Sequence, residues 1–496
     1  MYSVGAPRQE VSVRNLREFI SLLEKEGELR RIVAPISRDL EIAEVTDRVS
    51  KSSQGNVALL FENVEGSSIP VLTNAFGSMK RMAWALGVED LEEPGQRLAK
   101  LMSVEQMSPQ KGVVGRVKQL GQALDLVRFG PKQVKDAPCQ EVVITQDPSL
   151  STLPIMKCWP QDGGRFITLP LVITRDPATG RRNVGTYRLQ VYDDRTLGLH
   201  WHLHKGGAQH YRASLGTGRR LEVAIALGAG PALTYAATAP LPPDLDEVLL
   251  AGWLGRQKIE MAKGVTLDLE VPAQAEIVLE GYTDPQERRL EGPFGDHTGF
   301  YSLPDHYPVF HLTAITHRRD PIYQATLVGR PPMEDYYMGK ATERLFLPLI
   351  RLVLPEVVDI NMPWQGVFHN MVLVSIVKTY AGQGRKVISA LWGLMLLMLS
   401  KFIVVVDQEV DVQDLDQALW WMCNNFDPRR DLVVMDGPLD DLDHASPTPH
   451  YGAKLGIDAT RKTAEEGHPR PWPDPIAMDP DVVAIIDKKW PSLGLD

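Results

Sequence analysis

The hexapeptide Asn183-Val184-Gly185-Thr186-Tyr187-Arg188 and its echo Glu291-Gly292-Pro293-Phe294-Gly295-Asp296 are the stretches from which the rest of the chain is read. Each sets two polar groups five residues apart across small or apolar residues, so a strand or tight turn can bring both to bear on one pocket. The first offers an amide oxygen and a guanidinium, the second two carboxylates. If they converge, they supply a metal or phosphate anchor, a carboxylate clamp and an acid/base pair. The competing reading makes Asn183 the opening of a turn, Arg188 a surface strand residue, and Glu291 and Asp296 the flanks of a Gly-Pro loop.

Around these hexapeptides the pattern is of short β-branched or aromatic runs separated by turn residues, at 166–174, 185–192, 196–202, 221–227, 265–271 and 275–282. Such spacing predicts an antiparallel sheet or small barrel, interrupted by one helix over 246–262. Upstream, Leu16, Phe19, Ile20 and Leu23 recur at helical spacing behind Asn15, and Asn15 with Glu18 makes a capping-box-like start. Strands at 28–36, 57–61 and 69–72 and helices at 40–49, 79–86 and 94–102 complete an α/β opening domain. The loose stretch 110–122 marks its boundary. Downstream, runs at 371–377, 385–399, 402–406, 415–425 and 432–435 alternate strand and helix, which predicts βαβ units and a parallel sheet. The expected fold class is thus a multidomain mixture of α+β and α/β. Its domains are an N-terminal α/β domain over 1–122, a central β-rich domain over 123–325 and a C-terminal α/β domain over 326–496.

A chain of 496 residues exceeds what one core serves. Its 44% apolar and 23% charged residues are those of an ordinary globular protein, and a net charge of −10 lacks the basic stripe that nucleic acid requires. Cys139, Cys158 and Cys423 are odd in number and far apart, which points to a reducing compartment and not to a disulfide framework. The first ten residues hold no signal-peptide core. The apolar run 387–406 approaches a membrane span in length, but Ser400-Lys401 divides it into helix-forming and β-branched halves. It is read as a buried helix followed by a buried strand.

Between the hexapeptides lies His200-Trp201-His202-Leu203-His204-Lys205-Gly206-Gly207. On a strand the three histidines would share one side, yet no cysteine or His-Glu-x-x-His helix accompanies them as zinc would require. A set of one Asn, one His and one Glu suits magnesium or manganese better. Lys205 and the glycines offer a cation and free backbone donors for a phosphate.

Taken together, Asn183-x4-Arg188, His204 in His-Lys-Gly-Gly, Glu247 opening Glu-Val-Leu-Leu-Ala-Gly-Trp-Leu-Gly255, and Glu291-Gly-Pro-Phe-Gly-Asp-His-Thr-Gly299 resemble the UbiD family of reversible (de)carboxylases that use prenylated flavin mononucleotide. The similarity continues through Val328-Gly-Arg-Pro-Pro332, Lys378-Thr-Tyr-Ala-Gly382, Lys401-Phe-Ile-Val-Val-Val406 and Ala445-Ser-Pro447, so it covers nearly the whole chain in order. It is greatest with the branch that decarboxylates 4-hydroxy-3-polyprenylbenzoate in ubiquinone biosynthesis.

The resemblance implies that the central domain is a flavin-binding split β-barrel and that the C-terminal domain mediates assembly into a homodimer or homohexamer. It implies a metal, Mn2+ with K+ as an optional second ion, held by Asn183, His204 and Glu247 against the flavin phosphate. Thr186, Tyr187, Arg188, Trp201, His202, Lys205 and Gly206 would line the cofactor, and Lys401 would meet its phosphate. Arg188, Glu291 and Asp296 would be catalytic, because loss of carbon dioxide from an aromatic or vinylic carbon needs an electron sink from a cofactor and a proton from a side chain. That proton is assigned to Asp296, with burial expected to raise its pKa; other branches carry Glu there.

His297 is expected to meet a phenolic hydroxyl, with Tyr336, Tyr337 and Leu439 lining the pocket. The substrate is then a hydroxylated benzoic acid, and the alternatives are an acrylic or heteroaromatic acid. A flavin-binding reductase-like carrier and a metal-dependent hydrolase on the histidine strand are the readings from other classes. A flavin prenyltransferase would supply the cofactor. The location expected is the cytoplasm, peripheral at the membrane if the substrate is prenylated.

Overall fold

The computed structural model describes residues 13–103, 126–201, 206–242 and 245–495. The expected boundary between 122 and 123, the stretch 110–122, and His202, His204 and Lys205 lie outside the described residues.

The first helix, Leu16–Lys25, starts where its cap requires: the Asn15 side chain accepts the Glu18 N–H at 3.0 Å, and Leu16, Phe19, Ile20 and Leu23 point into the core. Strands Leu29–Ile32, Ala58–Phe61 and Val71–Thr73 form a small mixed sheet, and its last strand, Tyr323–Gln324, comes from far along the chain. That strand ties the end of the central region to the opening domain.

The central sheet holds nine strands, all antiparallel, curled into a half-barrel. Its spine is the long pair Ile277–Glu291 and Asp305–His317, which carries register shifts at Glu280/Gly281 and Thr283/Arg288. Bulges bend and twist a strand. At Gly281 the neighbouring backbone comes so close that a Cβ would lie 2.0 Å from the His311 carbonyl oxygen. Several of the expected strands are shorter or divided, 196–202 ending at Leu199. The run 166–174 breaks at Pro170 into Phe166–Ile167 and Leu171–Arg175, and 185–192 becomes Arg182–Thr186 and Leu189–Val191. In place of 265–271 the strand is Glu270–Pro272. The helix expected over 246–262 is Glu247–Leu254; Gly255 ends it, Arg256 takes a left-handed φ of 53°, and Glu260–Lys263 is a strand.

The C-terminal domain is not the purely parallel sheet expected. Its order is Val357–Asn361, Met371–Ile376, Phe402–Asp407, Tyr451–Asp458, Leu432–Pro438: the middle three strands are parallel and both edges antiparallel. Tyr451–Asp458 inserts between two runs that the alternating pattern had made neighbours. The apolar run 387–406 divides into helix Gln383–Leu391, a 3-10 turn at Met395–Leu399 and a strand whose Ile403 to Val406 are buried. No described helix is long and apolar enough to cross a membrane.

Candidate active site

The two hexapeptides do meet. Arg188, just past the strand Arg182–Thr186, donates through Nε to Glu291 Oε1 at 2.8 Å and through Nη2 to Glu291 Oε2 at 3.3 Å. Its Nη1 donates to Asp296 Oδ2, and Nη2 also reaches Ser302 Oγ at 2.9 Å. The guanidinium lies 4.9 Å from the centroid of Phe294, the ring held between the two acids. All three charged residues are buried, at 8%, 0% and 7% exposure for Arg188, Glu291 and Asp296. Burying a carboxylate is costly unless it is paired and hydrogen-bonded, and one guanidinium serves both.

The turn that carries the acids is stapled from outside. Asp162 accepts the Gly295 N–H at 2.8 Å with one oxygen and the Trp159 N–H at 2.8 Å with the other, while Gln190 Oε1 accepts the Gly292 N–H at 2.7 Å. A Cβ on Gly295 would lie 2.2 Å from the Trp159 ring, so glycine is needed there for packing.

Electrostatics corrects one expectation. Burial does work to raise both carboxyls, but for Asp296 the Arg188 charge and His297 outweigh it and hold the group well below the usual carboxylate range. For Glu291, burial is likewise overcome by the His200 hydrogen bond and by Arg188, leaving it at about 2. Both acids are therefore ionised in this state. Beside them stands His297, whose Nδ1 is 2.9 Å from Asp296 Oδ1. Burial disfavours the His297 cation, yet Asp296, with Asp335 and Asp440 beyond it, pushes it up to about 9.

His297 was expected to meet a phenolic hydroxyl; its second nitrogen, Nε2, lies 2.9 Å from Nε2 of His369. Of the three histidines expected to share a strand, His200 falls just past the end of strand Thr196–Leu199, and His202 and His204 lie outside the described residues. Instead His200 Nδ1 pairs with Glu291 Oε2 at 2.9 Å. His369, Asp335, Ser302 and Asp162 were not singled out from the sequence; the His297–His369 contact spans 72 residues and has no local signature.

A second group of expected residues gathers around Asn183. Glu247 opens its helix and accepts the Val184 N–H at 3.0 Å, which brings it beside Asn183 on the neighbouring strand. Burial pushes its carboxyl up to about 7, and a bound divalent cation would hold it ionised. Asn183 Nδ2, Thr186 Oγ1 and Trp201 Nε1 are buried without a hydrogen-bond partner, a set of orphan atoms that native interiors rarely leave unsatisfied. Gly206 packs on the Asn183 amide so tightly that a Cβ would lie 1.9 Å from its oxygen, and a Cβ on Gly207 would lie 2.7 Å from Trp201 Nε1. Tyr187 is buried beside them, its hydroxyl accepting the Gly207 N–H at 3.3 Å. These residues fit a polar, phosphate-bearing cofactor with a hard cation. Lys401 does not reach toward them as an unpartnered cation: its Nζ is 2.7 Å from Asp443 Oδ2, and that carboxylate satisfies it.

Comparison with known proteins gives three family models in series: the 3-octaprenyl-4-hydroxybenzoate carboxy-lyase N-terminal domain over 20–102, the Rift-related domain over 132–331 and the C-terminal domain over 336–459. A protein of Aquifex aeolicus without an assigned function is 53% identical, over 97% of this chain and 99% of its own. Vanillic acid decarboxylase of Sedimentibacter hydroxybenzoicus, in closed form, superposes with a TM-score of 0.83 at 29% identity, covering 97% of this chain and 99% of that one. An evolved dimeric form of the UbiD-class enzyme HmfF of Pelotomaculum thermopropionicum, in complex with prFMN, gives 0.76 at 30% identity, covering 95% and 98%.

Proposed function

The chain belongs to the UbiD family of carboxy-lyases, and from that premise we propose that it decarboxylates a hydroxylated aromatic acid on prenylated FMN. The observation that carries this reading is the single guanidinium of Arg188 shared between two buried carboxylates, with the protonated His297 behind one of them.

Asn183 and Glu247, with His204, would hold Mn2+ and through it the flavin phosphate; Thr186, Tyr187, Trp201 and Gly206 would line the ring system, and K+ would be a second ion. When bound, prenylated FMN supplies the electron sink that an aromatic carbanion requires. Arg188 orients the substrate carboxylate. Glu291, kept ionised by His200 and Arg188, fixes the guanidinium. With Arg188 engaged by the substrate carboxylate, Asp296 loses the charge that chiefly lowers it, so it takes the proton from His297 Nδ1 and delivers it to the carbon that has lost carbon dioxide. One proton is consumed per turnover, as replacement of a carboxylate by hydrogen demands.

With both His297 nitrogens engaged, a ring hydroxyl needs another acceptor. Asp335 Oδ2 is buried without a partner, and burial pushes that carboxyl up to about 7. It stands in the first turn of helix Glu334–Val353, close enough to feel the His297 charge. Asp335 as hydroxyl acceptor favours a hydroxybenzoic acid over cinnamic or heteroaromatic acids, and it is the vanillic acid enzyme that superposes at 0.83. The same reading includes a flavin prenyltransferase as cofactor supplier and a second copy of the chain as partner.

The test is a panel of 4-hydroxybenzoate derivatives, with and without a 3-alkyl chain, against cinnamate and furan acids, on protein co-expressed with a flavin prenyltransferase. Turnover of hydroxylated acids is expected, and Asp335→Ala should weaken those alone. Robust turnover of cinnamate only, with hydroxybenzoates inert, overturns the substrate assignment.

A further inference from the structure

His369 comes from the C-terminal domain, on the turn that leads into strand Met371–Ile376. Val367 and Phe368 just before it adopt left-handed φ values of 54° and 43°, a conformation that a β-branched residue rarely tolerates. The turn thus holds an unfavourable backbone while presenting His369 to His297. The two Nε2 atoms are 2.9 Å apart, so one must carry hydrogen and the other must not.

The surroundings decide which. Four groups face the His297 ring: Asp296 from its own loop, Asp335 from the first turn of helix Glu334–Val353, Asp440 from the turn after strand Leu432–Pro438, and His369. Three of them are acids, and Asp296 is hydrogen-bonded directly to Nδ1 at 2.9 Å, so the cation belongs on His297. Burial holds His369 down to about 4 despite Asp440 and Asp443 nearby, leaving its Nε2 as an acceptor.

We propose that His369 is a positioning residue for proton return: by accepting the Nε2–H of His297 it keeps that imidazolium doubly protonated and its Nδ1–H aimed at Asp296 Oδ1. In the step itself the His297 Nδ1–H bond breaks as the Asp296 O–H bond forms, and Asp296 then gives the proton to the ring carbon. His297 is left neutral, its remaining proton on Nε2 and still bonded to His369, until solvent supplies another. The inference rests on Asp296 as the donor.

The experiment compares His369→Leu with His369→Gln, whose amide oxygen accepts the same hydrogen, in the full-length holoenzyme. NMR of 15N-labelled histidine in the wild type should show His297 protonated on both nitrogens at neutral pH and Nε2 of His369 bare. Losing a hydrogen bond to a charged group corresponds to about 1–2 pH units. His369→Leu should therefore lower the His297 titration and the alkaline limb of kcat together by that amount, with KM unchanged, and His369→Gln should restore both. The NMR readout needs no turnover, so it can fail while the substrate assignment stands, and the reverse. A His297 titration unmoved in the Leu variant overturns the proposal, as does failure of Gln to restore it in a protein that melts like wild type. Because His297, His369 and Asp440 offer ligand atoms within 4.8 Å of one another, uptake of one Co2+ per chain that His369→Leu abolishes would also overturn it.

Discussion

At the scale of single residues, Arg188 decides the most. It is buried between Glu291 and Asp296, and removing it leaves two carboxylates in the interior without their shared cation. Breaking a buried pair in this way typically costs about 3–5 kcal/mol. Arg188→Ala should lower the melting temperature of the cofactor-free protein, and calorimetry at pH 7 checks it; an unchanged transition would mean that water already reaches the acids.

The His297 cation gives a pH dependence with a definite sign. Its folded value, about 9, is raised above the usual 6.5, so the stability it contributes is fully present below about pH 6.5 and is lost as pH rises through 9. The alkaline limb of kcat should fall in the same range, and Asp296→Asn should remove the linkage in a pH series of melting curves. That Arg188, Glu291 and Asp296 form one set was expected from the family resemblance, not from the spacing within either hexapeptide, and the contact of Arg188 with Asp296 had no signal in the sequence. The ionised state of Asp296 was not legible either. It depends on which neighbours outweigh burial: Arg188 lies far from Asp296 along the chain, and His297, though adjacent, acts only because the fold turns its ring back onto the carboxylate.

At the scale of elements, what was legible followed local rules. The first helix begins at the residue its cap predicts, and Pro170 and Gly255 mark breaks that periodicity alone had run through. The order of the C-terminal strands could not be read, since Tyr451–Asp458, interrupted by Gly452 and Gly456, carries no β-branched run to signal a strand.

The strand Arg182–Thr186, the helix opening at Glu247 and the helix opening at Gly206 converge on the orphan atoms beside Asn183. Glu247→Ala should therefore lose metal and flavin together, as elemental analysis and flavin absorbance would show; full flavin occupancy without metal would refute the anchor. Gly206→Ala should act similarly, because its methyl group would displace the Asn183 amide. Overpacking of this kind costs about 1–3 kcal/mol, enough to reduce flavin retained through gel filtration without unfolding the chain.

At the scale of the whole molecule, the site lies where the domains meet. Arg188, Glu291 and Asp296 come from the half-barrel, His369 and Asp440 from the C-terminal sheet, and Asp335 from the helix that follows the half-barrel. The terminal helix Pro480–Leu493 has no buried residue and exposes Val482, Val483, Ile485, Ile486, Trp490 and Leu493. An amphipathic helix left bare in one chain fits the proposed second copy. A chain ending at residue 479 should sediment as a smaller species than the full chain while keeping its melting transition, and an unchanged sedimentation coefficient per chain would remove this helix from the assembly.

The central claim is that Asp296 returns the proton, and decarboxylation in D2O tests it most directly. With 4-hydroxybenzoate or its 3-alkyl derivative, the wild-type holoenzyme should place one deuterium on the carbon that carried the carboxylate. Asp296→Asn, with flavin content unchanged, should slow that incorporation by roughly 10²- to 10⁴-fold, the usual worth of a general acid. Incorporation at the wild-type rate in Asp296→Asn would contradict the account.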